Sequence, residues 1–160
     1  MKKLAKLLRS ERGAVIIELA MAAPVLATMA IGVIDISIAY GKKLQLEQAA
    51  QRAIEKVAQT TGEDTLSNTI KTEAVCQYNG VSGTTCKTAP ITATNVTVTF
   101  KLTCDGVNTT WTLDCTGGQT EVRYITTKVE DTYTPMFPLH FGTAADGKYH
   151  LSATAGVRVV

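Results

Sequence analysis

The stretch from Ala14 to Tyr40 is almost entirely Ala, Val, Ile, Leu, Met and Gly, interrupted mainly by Glu18, Thr28, Asp35 and Ser37. At 1.5 Å per residue, Ala14 to Asp35 makes about 32 Å of helix, close to the roughly 30 Å hydrocarbon core of a bilayer. A run of this length and composition predicts a membrane-spanning helix. Asp35 then falls at the far interface, where a carboxylate is tolerated, whereas Glu18 falls about one turn inside the near side. A charge at the bilayer centre costs roughly 2.5–3.5 kcal/mol on insertion scales, so a carboxylate within the run is a functional candidate. Ala20, Ala23, Ala27 and Ala30 recur at three- and four-residue steps, as on helix-packing faces in membranes. Pro24 removes one hydrogen-bond donor, so a kink or local unwinding is expected there.

Charge sharpens the orientation. Residues 1–13 hold Lys2, Lys3, Lys6, Arg9 and Arg12 against Glu11, a net of +4, and the whole chain carries +2, leaving −2 for the rest. Positive charge directly before an apolar run marks the cytoplasmic side. The body of the chain offers no basic surface for nucleic acid. A cleaved secretory signal would have a core of about 7–15 apolar residues, far shorter than this one.

The helix is expected to continue past the membrane. Leu46, Ala50, Ala53 and Val57 recur at four, three and four, with Glu47, Gln48, Gln51, Arg52, Glu55 and Lys56 on the other faces. That is an amphipathic pattern, and it predicts one rod from about Ala14 to Gln59. Gly62 is the expected stop, Thr60–Asn68 a linker, and Leu66–Ala74 a short helix.

Beyond this the chain is Thr-rich and strand-like. Val96, Val98, Phe100, Leu102 and Cys104 alternate with Thr97, Thr99, Lys101 and Thr103, a half-buried strand. Trp111, Leu113 and Cys115 alternate with polar residues and suggest a second strand after the Asp105-Gly106 turn. Glu121–Tyr133 reads as a longer strand of mixed facing, and Asp146-Gly147 opens a last strand ending near Val159. The fold class is therefore α+β: a long N-terminal helix, transmembrane and then amphipathic, packed on a small antiparallel β-sheet head. The organisation is residues 1–13 a basic leader, 14–40 the membrane helix, 41–60 its amphipathic continuation and 61–160 the head.

Cys76, Cys86, Cys104 and Cys115 all lie in the head, an even count that suggests disulfides in an exported domain. Four cysteines allow three connectivities. Local bridges Cys76–Cys86 and Cys104–Cys115 are preferred because each pair brackets a turn-rich loop, with free thiols the alternative. The spacing lacks the C-x-x-C pairs of a zinc site, so neither metal nor another cofactor is expected.

Little supports catalysis. His140 and His150 lack an obvious nucleophile partner, and a triad of His150, Ser152 and Asp146 has no nucleophile elbow around the serine. No phosphate-cradling glycine loop is present. Glu130-Asp131 reads as a solvated strand end. The triplets starting at Asn95 and Asn108 fit glycosylation acceptors, a pattern that chance produces often. The chain is not expected to be an enzyme.

A basic leader ending in Gly13, followed by Ala14-Val15-Ile16-Ile17-Glu18, resembles the type IV pilin class. That resemblance implies a prepilin peptidase cut between Gly13 and Ala14, leaving Glu18 as fifth residue of the mature chain. The run "RGAVIIELAMAAPVLATMAIGVIDISIAY" is similar, more finely, to the TadE-like minor pilins of tight adherence (Flp) pilus systems. Their arginine-glycine-alanine start, proline partway along and glycine followed by an acidic residue correspond here to Arg12-Gly13-Ala14, Pro24, and Gly32 with Asp35. The closing "YHLSATAGVRVV" also resembles their last strand. Leu19 stands where the major pilin usually has tyrosine, and the chain is much longer, which favours a minor pilin or pseudopilin. The resemblance implies a bacterial inner-membrane protein with its head outside. Its partners would be prepilin peptidase and other pilins, and its role assembly of the pilus and surface adhesion. The alternatives are an uncleaved signal-anchored protein with a small binding head and a type II secretion pseudopilin.

Overall fold

One helix, α1 (Glu11–Gln59), carries the chain from its apolar start to the far end of the sheet. The computed structural model describes residues 11–59, 66–137 and 141–159; the expected stop at Gly62, most of the expected linker and His140 lie outside them. From Val15 to Ala30 every residue of α1 is exposed. The second half is different: Ala39, Leu46, Ala49, Ala50, Ala53, Ile54 and Val57 are buried. The expected Leu46–Val57 face is therefore the packed one, and its alanines let the backbone approach the sheet closely.

The helix is continuous across Pro24, without the local unwinding that its missing N–H predicts. The loss is confined to one bond, since Pro24 deprives only the carbonyl four residues earlier of its donor. The Thr28 hydroxyl donates to the Val25 carbonyl (2.8 Å) and that of Ser37 to the Val33 carbonyl (2.7 Å). Both polar side chains are thus satisfied within the helix, as a lipid environment demands.

The second helix, α2 (Leu66–Asn79), runs five residues further than expected. Ile70, Ala74 and Tyr78 form one buried face at four-residue steps, and that face has no reason to stop at Ala74. Gly80 ends it in the left-handed region (φ 77°), its N–H donating to the Cys76 carbonyl at 2.9 Å. Asn79 then fastens the following loop: its amide donates to the carbonyls of Lys87 (2.8 Å) and Ile91 (2.7 Å), and its oxygen accepts the Ile91 N–H (3.1 Å).

A two-residue hairpin, β1 (Val81–Ser82) and β2 (Thr85–Cys86), precedes the main sheet. The sheet has four antiparallel strands in the order β4-β3-β5-β6, with β3 Val96–Cys104, β4 Val107–Thr109, β5 Glu121–Tyr133 and β6 Tyr149–Arg158. Asp105 and Gly106 both have positive φ (51° and 84°), the geometry of a tight two-residue hairpin between β3 and β4. Val96, Ile125, Val129 and Ala153 on the sheet meet the buried faces of α1 and α2, closing one core.

Two expectations need correction. The strand read at Trp111–Cys115 is a loop, and the second strand is the shorter β4. The Arg123 guanidinium donates to the carbonyls of Trp111 (3.1 Å) and Leu113 (3.2 Å) and to Asp114 Oδ1 (2.8 Å), taking acceptors a strand partner would need. Trp111 packs on Phe100, ring centroids 5.1 Å apart, and Cys115 is bonded to Cys104. Nor is Glu130-Asp131 a solvated end. Glu130 is exposed and pairs with Lys128 at 2.7 Å, but Asp131 faces inward with Ile125, Thr127, Val129 and Tyr133.

The preferred cysteine pairing is the one present: Cys76–Cys86 and Cys104–Cys115, with Cα separations of 4.8 and 5.6 Å.

Candidate functional site: the helix and its junction with the head

Among the described residues, nothing covers α1 between Val15 and Ala30. Val15, Ile16, Ile17, Leu19, Met21, Val25, Leu26, Met29 and Val33 are exposed apolar side chains on all sides of the helix. From Val15 to Ile34 this is about 30 Å, enough to cross a hydrocarbon core. It is the one candidate span among the described residues. Gly13 and Ala14 lie in the first described turn, and Glu18 is exposed one turn further on. Among the described residues Glu18 has no ion-pair partner within 4.0 Å.

Gly32 and Asp35 are brought together with residues from the far end of the chain. Asp35 is only 1% exposed. Its Oδ1 accepts the Tyr133 hydroxyl (3.2 Å) and the Met136 N–H (2.9 Å), and its Oδ2 accepts the Phe137 N–H (3.4 Å). The carboxylate at the end of the apolar run is thus covered by protein rather than by water. Burial, and then the hydrogen bond to this carboxylate, push the Tyr133 hydroxyl above its ordinary pKa. One turn toward the N-terminus, Gly32 is buried beneath Phe141. A Cβ at this position would stand 3.0 Å from Phe141 Cδ2, so the missing side chain is what admits the ring. Tyr149 anchors the same loop through a hydroxyl bond to the Phe141 carbonyl and a stacked contact with Tyr133.

A second buried carboxylate, Asp131, lies two residues before Tyr133 on the same inward face of β5. Asp131 accepts the Tyr78 hydroxyl at 2.5 Å, with Lys42 Nζ 3.8 Å away and poised over the rings of Tyr78 (6.0 Å) and Tyr133 (5.7 Å). Burial of the Tyr78 hydroxyl, with the Asp131 hydrogen bond and charge adding to it, drives its pKa well up. Asp35, Tyr133, Lys42, Asp131 and Tyr78 together join α1, β5 and α2. Buried charges that are paired and hydrogen-bonded in this way fix a register, because misplacing either helix strands a charge.

The sequence pointed to Gly32 and Asp35 but not to what they hold. It missed Lys42, Tyr78, Asp131 and Tyr133; the inward register of β5, set by Ile125 and Val129, was the signal available for the last two. Asp146 and His150 do meet (2.9 Å), as an exposed pair, and a backbone N–H from Lys148, then His150, hold the Asp146 carboxyl below its ordinary pKa. Among the described residues no group of three His, Cys, Asp or Glu side chains is placed to hold a metal ion.

Residues 13–54 match the family model described as TadE-like protein. The match begins at the glycine of the expected cut and covers the apolar helix, Gly32, Asp35 and most of the face packed on the sheet. No curated protein and no solved structure matches the chain. The TadE-like helix and its free apolar half fit a membrane-anchored component of a Tad pilus.

Proposed function

We propose that this chain is a minor pilin or pseudopilin of a Tad (Flp) pilus. It is inserted in the inner membrane, cut by prepilin peptidase between Gly13 and Ala14, and presents its head outside for pilus assembly and surface adhesion. The observation that carries this reading is the TadE-like match starting at Gly13 on a helix that is exposed at every position from Val15 to Ala30. An apolar rod of this kind needs lipid before assembly and other rods after it.

Glu18 supplies the assembly contact. Removal of residues 1–13 exposes a positively charged amine on Ala14. In a medium of low dielectric that amine and the Glu18 carboxylate of a neighbouring subunit attract strongly, and pairing spares each the cost of being left alone. A subunit lacking the carboxylate keeps its membrane helix but loses the step that draws it beside another. The polar junction around Asp35 and Asp131 holds the head at a fixed angle to the rod, so every incorporated copy presents its head in the same orientation.

The test is incorporation. Glu18→Ala is expected to be processed and stable in the membrane but absent or strongly depleted from sheared pili. Normal incorporation of Glu18→Ala would refute the pairing.

A further inference from the structure

The β5–β6 connection approaches the lipid-facing helix from the side. Met136 and Phe137 are tied by their backbone N–H groups to Asp35, and the Phe141 ring lies over Gly32. Gly32 is three residues closer to the N-terminus than Asp35, about 4.5 Å nearer the membrane centre along a helix perpendicular to it. The loop therefore reaches below the buried carboxylate, to a level where the surrounding helix surface is Val33, Ile34 and Ile36, all about half exposed or more. Phe141 is 48% exposed at that level, and Met136, at the level of Asp35, is 71% exposed. On the helix itself no charge appears between Asp35 and Lys42, about 10 Å further out. The charged residues of the connection, Asp146 and Lys148, are on its return arm beside β6.

We propose that this arm of the loop is a second, peripheral membrane contact: Met136 and Phe141 insert into the outer interface of the bilayer that α1 crosses, so that the head rests on the lipid surface. The inference rests on the membrane-spanning reading of α1. The occupant is lipid because Phe141 lies on Gly32, where Val33, Ile34 and Ile36 of the same helix face outward, at the depth where a helix running from Val15 to Ile34 leaves the hydrocarbon. Aromatic side chains with one polar end favour that zone. Tyr149 has that character, and its hydroxyl donates to the Phe141 carbonyl, so the wholly apolar Phe141 ring brings no unsatisfied polar group with it. Asp35 makes the arrangement tolerable, since a helix whose acidic group is capped by the loop's own N–H groups can be drawn down to the interface without exposing a bare carboxylate. Insertion gives the head a second point of attachment, and with it a fixed tilt before assembly.

The test uses the full chain in phosphatidylcholine–phosphatidylglycerol vesicles carrying a spin-label quencher either near the headgroup or deep in the acyl chains. Trp111 is the single tryptophan and is held by Arg123, about 33 Å along β5 from Tyr133, so it serves as an unquenched reference. Phe141→Trp and Met136→Trp each add an indole to the loop; the second variant replaces an open side chain and keeps the test valid should the first disturb Gly32. Met29→Trp reports the helix. The proposal expects the loop indoles to be quenched by the shallow label and the Met29→Trp indole by the deep one. Quenching of the Met29→Trp indole without quenching of either loop indole overturns the peripheral contact alone. No quenching of any added indole overturns the spanning reading and this inference with it. A loop indole shielded from water only at high protein density would show that a neighbouring subunit, not lipid, covers the loop, and would also overturn it.

Discussion

Asp35 Oδ1 accepts the backbone N–H of Met136 at 2.9 Å, joining positions 101 residues apart at the level where the apolar helix meets the head. Because the donors are two backbone amides and a tyrosine hydroxyl, the carboxylate fastens a loop as much as it satisfies a charge. Removing it leaves three buried or half-buried donors without an acceptor.

Asp35→Ala is therefore expected to destabilise the head–helix junction by about 2–5 kcal/mol, the range for stranding partners of a buried, hydrogen-bonded charge. Asp35→Asn keeps one acceptor oxygen and should lose less. Thermal unfolding in detergent micelles orders the three proteins as wild type, Asp35→Asn, Asp35→Ala; equal midpoints for wild type and Asp35→Ala would contradict the clamp.

Alkaline pH should attack the same junction. The Tyr78 hydroxyl has a native pKa raised above the ordinary value of 10.0, so the native state favours the neutral phenol. The stability this contributes is complete below pH 10 and is lost as pH climbs toward the native value. In a phenolate absorbance titration, Tyr78→Phe is expected to remove one late-ionising hydroxyl and to flatten the fall in stability above pH 10. An unchanged late phase in Tyr78→Phe would place the perturbed group elsewhere.

Thr127 is fully buried on β5, and its hydroxyl has no hydrogen-bond partner among the described residues. Val has nearly the same shape and no hydroxyl. Thr127→Val is expected to stabilise the protein by about 1 kcal/mol, because an unsatisfied buried hydroxyl carries a desolvation cost of that order. A lower unfolding midpoint for the variant would reveal a partner for the hydroxyl.

The Cys104–Cys115 bond holds the loop that Arg123 organises around Trp111. Replacing both cysteines with serine should loosen that loop, shifting Trp111 emission to the red, and lower stability by about 2–4 kcal/mol. Peptide mapping without reductant should recover Cys76 linked to Cys86 and Cys104 linked to Cys115. Either pair found crossed would contradict the fold around both loops.

Where local pattern and burial agree, the structure could be read from the residues. Val96–Cys104 shows its inward face plainly because Thr and Lys fill the outward one, and Leu46, Ala50, Ala53 and Val57 mark the packed side of α1 for the same reason. The pattern misleads where side-chain chemistry and burial part company. Thr127 and Asp131 are polar yet point inward, so β5 looks mixed in facing although its burial alternates cleanly from Ile125 to Tyr133. Trp111, Leu113 and Cys115 alternate like a strand, but an arginine from β5 takes their loop's carbonyls. For Gly32 and Asp35 the positions were visible while their partners were not: two of the three donors to Asp35 are backbone N–H groups, which every non-proline residue carries and which leave no trace in the choice of amino acid.

The proposed function requires that residues 1–13 be removed before the chain enters a pilus. Intact mass spectrometry of the protein extracted from membranes of cells that possess a prepilin peptidase tests this directly. The expected mass lacks residues 1–13 and begins at Ala14, and Gly13→Ala is expected to retain the full-length mass. A wild-type protein that keeps residues 1–13 in the membrane would contradict it and leave an uncleaved anchor in its place.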